Sequence, residues 1–560
     1  MALMISYSDI ENKVVEILSV GGKYDRDLIR KSLNKYIDGN RKNFVIFMNK
    51  ISSTPEETLN EMYKHVVEKH ADFIVDVEKQ NNSLSFNINK KSLCKDIVTA
   101  VLKKKEQFGS NETGNGHTMV LDYSSPNIAK IFHVGHFRTT ILGNFIKNIL
   151  VFNGYKTVSI NYLGDWGKQF GLVLLGYEMF GSEEKLKEDS LMHLFHVYVE
   201  VNKHKELQQK ARDIFKEMEE GTNQKYLDQW KMFRDMSIVK YKKLYKKLNI
   251  EFDVYSGESL YNERAKEYAN KCSFATKDSD KSIFVDLGPE GVTLLLKNDG
   301  TTLYITRDIV AIQERMAQYK PKEIIYVVSS EQDQHFKQLF KMAEMDGYDQ
   351  SHFRHVNFGL VKGMSTREGT VHFIDDVIDT AYEVFYDFVK DKENVLNKKD
   401  TALQLAISFL LVNDFGAKRI KGYTFDIKKQ ATTQKGQALG PTIQYTHCRL
   451  VSIGEKNSNM AAPVESIDFS KIQDQELCNL AYKLLWFEKI NEMTLLDYEP
   501  SRIVLYLKDL CNTINSAINN FIVKDEEKSV AAARLALFKA AQVVLGNGIR
   551  ILGLLPLNKM

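Results

Sequence analysis

The sequence predicts an α/β chain built on a doubly wound parallel sheet that a helical insertion splits, with an α+β N-terminal domain before it and an all-α C-terminal domain after it. Three observations carry this. A strand pattern at residues 118–122, a helical pattern at 135–153 and a strand pattern at 158–162 make a β-α-β unit, which implies parallel strands with ligands at their carboxyl ends. Residues from 175 to about 275 read as helical with charges on the outward positions, and strand patterns resume only afterwards. From about residue 395 the apolar positions recur at helical spacing to the end, as at Leu403, Ile407 and Leu410 and again at Leu535, Phe538 and Val543.

At 560 residues the chain is too long for one core, and ordinary domain sizes suggest about three. The expected division is 1–112, 113–395 with the insertion at about 175–275, and 396–560. Apolar residues make up 43% and charged residues 27%, with 8 prolines, the composition of a globular protein rather than a disordered or fibrous one. The formal charge is only +3, so no global field announces a nucleic-acid partner and any basic surface must be local. Cys94, Cys272, Cys448, Cys478 and Cys511 lie far apart without a CxxC pair, against a disulfide framework or a zinc site. The first twelve residues contain acids and lack a basic start followed by an apolar run, so no leader is expected. No uninterrupted apolar stretch reaches the length of about 18 residues that a membrane span needs. A cytoplasmic, monomeric protein without a membrane partner is the expectation.

Taken in order, residues up to about 110 alternate helical and strand patterns and end in a helix with Leu93, Ile97 and Val101 on one face. The polar, glycine-rich stretch at 109–116 reads as a linker. In the helix at 135–153, Ile141, Phe145, Ile149 and Phe152 recur at three to four residues, and Gly154 stands where a C-terminal glycine belongs. Later strands are expected at 283–285, 302–304, 324–328 and 353–360, with a turn at Asn298-Asp299-Gly300.

The chemistry centres on His133-Val134-Gly135-His136, placed where a strand has ended and a helix begins. Amide groups at a helix start favour anions. Gly135 lets a nucleotide approach the backbone, and His133 and His136 can donate to a triphosphate as charge builds on its α-phosphorus. The bland alternative is a histidine pair capping a helix. Lys130 offers a point charge for phosphate. The segment Lys362-Gly363-Met364-Ser365-Thr366-Arg367-Glu368-Gly369 reads either as a loop that closes over pyrophosphate or as a surface hairpin.

Around these motifs run Asp122-Tyr123-Ser124-Ser125-Pro126-Asn127-Ile128-Ala129-Lys130 and Asn161-Tyr162-Leu163-Gly164-Asp165-Trp166-Gly167-Lys168-Gln169-Phe170-Gly171. With them the chain resembles the arginyl-tRNA synthetases of eukaryotic type, a class I family, over nearly its whole length. The resemblance implies a Rossmann-like catalytic domain and an all-α anticodon-binding domain. It also implies ATP, as its Mg²⁺ complex, as substrate, L-arginine and tRNA(Arg) as partners, and no protein-ligated metal. By it His133, His136, Lys130 and Arg367 are catalytic, and His133, Gly135, His136, Met364 and Ser365 bind ATP. Ser125, Pro126, Asn127, His136, Tyr304, Asp308 and Gln332 hold arginine. Within that set Asp308 pairs with the guanidinium and Tyr304 packs on its plane. Read without the resemblance, a carboxylate inside Tyr-x-x-x-Asp is more often a helix N-cap. Asp122 stands where the family carries a glutamate, a second guanidinium partner.

The segment Gly436-Gln437-Ala438-Leu439-Gly440-Pro441-Thr442-Ile443-Gln444-Tyr445-Thr446-His447-Cys448-Arg449 and the terminal Met560 are similar to the family's tRNA-contacting positions. The resemblance therefore assigns Pro441, Gln444, Tyr445, Arg449 and Met560 to tRNA, while Tyr445 as core and Met560 as a frayed end are the plain readings. Residues 1–112 resemble the family's extra domain, which contacts the tRNA elbow. The run Lys240-Tyr241-Lys242-Lys243-Leu244-Tyr245-Lys246-Lys247 either follows a phosphate backbone or is the solvated face of a helix with two apolar contacts. Rival readings are a class I synthetase for another amino acid and a tRNA-binding paralogue without catalysis.

Overall fold

The computed structural model describes residues 5–36, 42–130, 132, 134–362, 374–424 and 438–560. The N-terminal part packs α1 (Tyr7–Leu18), α2 (Arg26–Ser32), α3 (Pro55–Lys69) and α4 (Lys90–Lys104) with a four-stranded antiparallel sheet. Its strands β1 (Leu33–Lys35), β2 (Phe44–Phe47), β3 (Ile74–Gln80) and β4 (Ser83–Ile88) run in the order β1-β2-β4-β3. Leu93, Ile97 and Val101 of α4 are all buried, as their spacing predicts.

The glycine-rich stretch at 109–116 is no loose linker. Gly109, at φ 99°, lies so close to the Phe487 ring that a Cβ would sit 2.4 Å from it, and a Cβ on Gly114 would sit 2.2 Å from Tyr155. Asn153 binds the same stretch through its carbonyl to the Gly114 N–H at 2.9 Å and its side chain to the Asn111 N–H at 3.2 Å. The glycines serve close packing.

The central sheet contains β5 (Thr118–Asp122), β6 (Lys156–Leu163), β7 (Val254–Gly257), β11 (Glu323–Tyr326) and β12 (Phe353–His355). They are parallel and run in the order β12-β11-β5-β6-β7. Side chains alternate between two cores, since successive residues of a strand face opposite sides. Met119 and Leu121 join the large core with α5 (Val134–Phe152), whereas Val120, Ile160 and Ile324 join the second core under α12 (Tyr304–Tyr319) and α13 (Asp333–Met345). The strand order reverses between β5 and β11, where Tyr326 stands in register with Asp122. A crevice at that switch point is where such sheets bind ligands.

Between β6 and β7 lie α6 (Lys168–Phe180), α7 (Glu183–Glu188), α8 (Ser190–Asn202), α9 (Gln208–Glu220) and α10 (Gln224–Lys247). β7 falls inside the stretch expected to be helical and pairs with β6. After α11 (Asn262–Lys271), β8 (Thr276–Lys277), β9 (Ile283–Asp286) and β10 (Val292–Leu296) form a separate antiparallel sheet. The strand expected at 302–304 is absent: Thr302 makes one isolated bridge to Leu296, and Tyr304 opens α12. The expected 353–360 strand stops at His355.

Beyond α14 (Ile374–Val389) and α15 (Lys398–Phe415), the described residues include four long helices, Leu439–Lys456, Gln475–Asp497, Pro500–Asn520 and Lys528–Ile551. The last is apolar and long enough to cross a membrane by composition alone. Its Asn547 amide donates to the carbonyls of Lys105 and Phe108, and most of its apolar residues are buried, so its apolarity is that of a core helix.

The C-terminal tail docks on Leu439–Lys456. His447 Nδ1 lies 2.8 Å from the Leu557 carbonyl, and burial lowers the pKa of the His447 ring. A pKa lowered in the folded state contributes stability that is present above the unfolded value of about 6.5 and is lost as pH falls below it. His447→Asn, which keeps a donor for Leu557, is therefore expected to show a smaller drop in urea midpoint than the parent between about pH 7.5 and 5.5. An equal drop in both proteins would contradict this.

Candidate active site

The loop after β5 turns sharply. Ser124, Ser125 and Ala129 all have positive φ, at 72°, 46° and 55°, a conformation that side chains normally avoid. The turn is tied to the end of β6 by the Gly164 N–H donating to the Pro126 carbonyl and the Ile128 N–H to the Gly164 carbonyl, both at 3.2 Å. A Cβ on Gly164 would stand 2.2 Å from Asn127 Oδ1, so the glycine leaves room for the amide in its present position. Asn127 is half-buried and Pro126 is buried.

Gly135 and His136 occupy the first turn of α5, both half-buried. The His136 ring packs on Phe132 with centroids 5.3 Å apart. Lys130 holds its ammonium 5.5 Å from the Tyr198 ring of α8. His133, Met364, Ser365 and Arg367 lie outside the described residues.

Across the switch point stands the start of α12. Tyr304 and Asp308 are one turn apart and so share a face. The Tyr304 ring is 60% exposed and already carries a guanidinium, that of Arg307, 5.2 Å from its centroid. Asp308 is partly buried, and its Oδ2 lies 2.8 Å from His335 Nε2. Burial first and the Asp308 charge second push the Tyr162 hydroxyl well above its ordinary pKa, and burial raises those of Asp122 and Tyr326 with a smaller contribution from Asp308. The Asp308 carboxylate is thus near enough to act electrostatically on side chains at the ends of β5, β6 and β11. Asp308 is not an N-cap: α12 is preceded by Leu303, whose side chain makes no capping bond.

The same Arg307 guanidinium that lies over the Tyr304 ring makes a buried contact of 2.9 Å with Glu258 and donates to the Thr302 carbonyl and hydroxyl. Burial lifts the Glu258 carboxyl to about 8 against the pull of Arg307. Gln332 is exposed in the short turn Ser330–Gln332 that leads into α13.

Asp122 is committed elsewhere. Its carboxylate pairs with Arg315 at 2.8 Å and accepts the Ser125 hydroxyl at 3.0 Å, with both charged side chains buried. Arg315 lies between the Tyr162 and Tyr326 rings, 5.2 and 5.6 Å from their centroids. An internal guanidinium thus occupies the carboxylate that the family pattern offers to a substrate. Removing one member of a buried pair typically costs about 3–5 kcal/mol. Asp122→Asn is expected to lower unfolding free energy by that order, read from urea titration. A loss like that of a surface substitution would contradict the pairing.

Asp165, inside the quoted 161–171 block, is a structural hub. It is fully buried, pairs with Arg234 at 2.7 Å and accepts from the Ser259 N–H and hydroxyl at 2.8 and 2.9 Å. Arg138, on α5, is likewise buried, paired with Asp414 at 3.3 Å and donating to the carbonyls of Gly359 and Lys421. Neither role shows in the sequence, since the partners are remote in the chain.

In the C-terminal domain Tyr445 is 48% exposed, and Arg449 is held by Asn515 at 2.6 Å and Asn519 at 2.8 Å. Pro441 is buried. Gln444 is not available to a ligand: it is fully buried, donating to Ser408 Oγ and the Leu555 carbonyl and accepting from the Leu557 N–H. Met560 is neither frayed nor free, being 8% exposed and seated in the core. The lysine run on α10 is mostly engaged within the chain. Lys240 pairs with Asp189, Lys247 with Asp375, and Lys242 lies over the Tyr255 ring.

A helix start beside the switch point of a parallel sheet is where such folds take ligands. Residues 97–427 match the family described as tRNA synthetases class I (R), catalytic domain, and residues 443–560 match the DALR anticodon binding domain. This is a class I aminoacyl-tRNA synthetase. The chain is 48% identical over 564 residues to an arginine–tRNA ligase of Encephalitozoon cuniculi, covering 99% of the chain and all of that protein. It is 37% identical to the cytoplasmic arginine–tRNA ligase of Saccharomyces cerevisiae over 87% of the chain and 84% of that protein. It is 36% identical to a probable mitochondrial arginine–tRNA ligase of Homo sapiens over 89% of each. The fold is shared with arginyl-tRNA synthetases of Plasmodium falciparum (TM-score 0.76, 20% identity, all of both chains) and Thermus thermophilus (TM-score 0.77, 18% identity, 99% of each). The chain therefore belongs to the arginyl-tRNA synthetase family.

Proposed function

We propose that the protein activates L-arginine with ATP to arginyl adenylate and transfers the arginyl group to the terminal adenosine of tRNA(Arg). The carrying observation is Asp308, with Tyr304 one turn earlier on α12, a carboxylate whose charge acts on Asp122, Tyr162 and Tyr326 at the ends of three strands of the sheet. A carboxylate there suits a cationic side chain, and charge-assisted pairing with a guanidinium is strong and directional.

In this mechanism ATP enters as its magnesium complex. Asn127 and Gln332 hold the amino-acid end of arginine, with Ser125 and Pro126 shaping the wall. The arginine carboxylate attacks the α-phosphorus and pyrophosphate leaves. Lys130, His133, His136 and Arg367 stabilise the charge, while Gly135, Met364 and Ser365 border the nucleotide. The ribose 2′-hydroxyl of the tRNA terminus then attacks the adenylate carbonyl, and AMP leaves. No side chain becomes covalently attached. Tyr445 stacks on an unpaired base and Arg449 meets phosphate. The domain division at 112/113 and 395/396, a monomeric state and a cytoplasmic location complete the reading.

Aminoacylation of total tRNA with labelled arginine tests it. Arginine incorporation dependent on ATP and tRNA is the expected result, and none with active, folded protein would overturn it.

A further inference from the structure

Positive φ at Ser124, Ser125 and Ala129 makes this loop costly in isolation, and such a conformation persists only when its surroundings over-determine it. Part of that surrounding comes from one face of α10. Ser237, Tyr241 and Tyr245 are spaced by four, so they line up along the helix, and all three are buried.

Each binds a different point of the loop. Ser237 Oγ accepts the Ala129 N–H at 3.2 Å. The Tyr241 hydroxyl shares its one proton between the carbonyls of Asn127 at 2.8 Å and Lys130 at 3.0 Å. The Tyr245 hydroxyl meets Ser124 Oγ at 2.8 Å and accepts from Asn161 at 2.9 Å. Burial raises the pKa of both tyrosines, so the hydroxyls stay protonated. Both rings also pack on Phe132, 6.0 and 5.9 Å between centroids, and Phe132 in turn packs on His136. At its far end the same helix pairs Lys247 with Asp375 at 2.7 Å, in the first turn of α14.

We propose that the Ser237, Tyr241 and Tyr245 face of α10 is a positioning element for the activation step. It holds Asn127 and Lys130 in reach of the substrates by fixing their backbone, without touching the substrates itself. The inference rests on the function proposed above, which makes Asn127 an arginine contact and Lys130 a phosphate contact. Tyr241 has the largest share because its hydroxyl binds the backbone of both.

The test is arginine-dependent ATP–pyrophosphate exchange by the full chain in the presence of total tRNA, with rates divided by the concentration of active sites from single-turnover titration. Tyr241→Phe removes one oxygen. It is expected to lower kcat per active site and raise the KM for arginine, together reducing kcat/KM on the order of 10- to 100-fold, while tRNA affinity stays unchanged. Tyr245→Phe is expected to do less. Val239→Ala, at an exposed position of the same helix, is expected to change nothing. A merely structural role would reduce the number of active sites and leave KM and kcat per site as they were, and that result would overturn the proposal. Should Tyr241→Phe fail to fold, Ser237→Ala decides by the same two parameters. Parent protein without arginine-dependent exchange would overturn the function itself, whereas an active parent with an indifferent Tyr241→Phe overturns only the positioning role.

Discussion

Asp308→Asn is expected to lower kcat/KM for arginine by about 30- to several thousand-fold, the equivalent of roughly 2–5 kcal/mol for a desolvated charge pair deprived of one partner. The substitution keeps the shape and a hydrogen-bonding oxygen but removes the charge. In the proposed function the effect falls on substrate recognition, because Asp308 shares a helical face with Tyr304 and its charge acts on residues at the strand ends. His335, 2.8 Å away, keeps a partner in the asparagine variant, so fold and tRNA binding are expected to survive. Steady-state exchange kinetics check this. An unchanged kcat/KM for arginine would mean that the guanidinium is read elsewhere.

The second large effect is expected at the helix start. His136→Ala should reduce the rate of arginine-dependent exchange in the presence of tRNA by about 10²–10³-fold, the usual consequence of removing one donor aimed at developing charge. His136 is half-buried in the first turn of α5, where amide groups and the helix dipole already favour a polyphosphate. Binding of ATP should change much less than the rate, since a donor matched to the transition state contributes little to the ground state. Normal exchange by the variant would remove His136 from the mechanism.

Much of the fold is legible because its signals are local. The 118–122 strand, the helix near 135–153 and Gly154, with φ 84°, are set by periodicity and by one backbone conformation. The signals that mislead are also local. Tyr304 follows a turn and two threonines and reads as strand, yet it opens a helix, because its neighbours Ile305, Ile309 and Ile312 bury one helical face. The 109–116 stretch has the composition of a linker, and only the Phe487 and Tyr155 rings against its glycines make it a packed seam.

The candidate site divides in the same way. Asn127, His136, Tyr304 and Asp308 stand out by motif; Asn127 lies on the turn after β5, His136 in the first turn of α5, and Tyr304 and Asp308 on one face of α12. The groups that hold them do not stand out. Tyr241 lies within a lysine-rich run, and its hydroxyl partner Asn127 is 114 residues away. Nothing in spacing alone separates it from an ordinary core tyrosine. Arg315 carries no motif, yet it decides that Asp122 serves the interior. Gln444 stands in a segment similar to a tRNA-contacting one, and only the docking of the C-terminal tail shows its amide to be saturated within the chain.

The most direct measurement is ATP–pyrophosphate exchange by the parent protein with each of the twenty standard amino acids in turn, total tRNA present. Exchange with arginine, and with no other amino acid at a comparable rate, is the expected result. Exchange driven by a different amino acid would contradict the role of Asp308, and tight tRNA binding without exchange by any of them would contradict catalysis at this site.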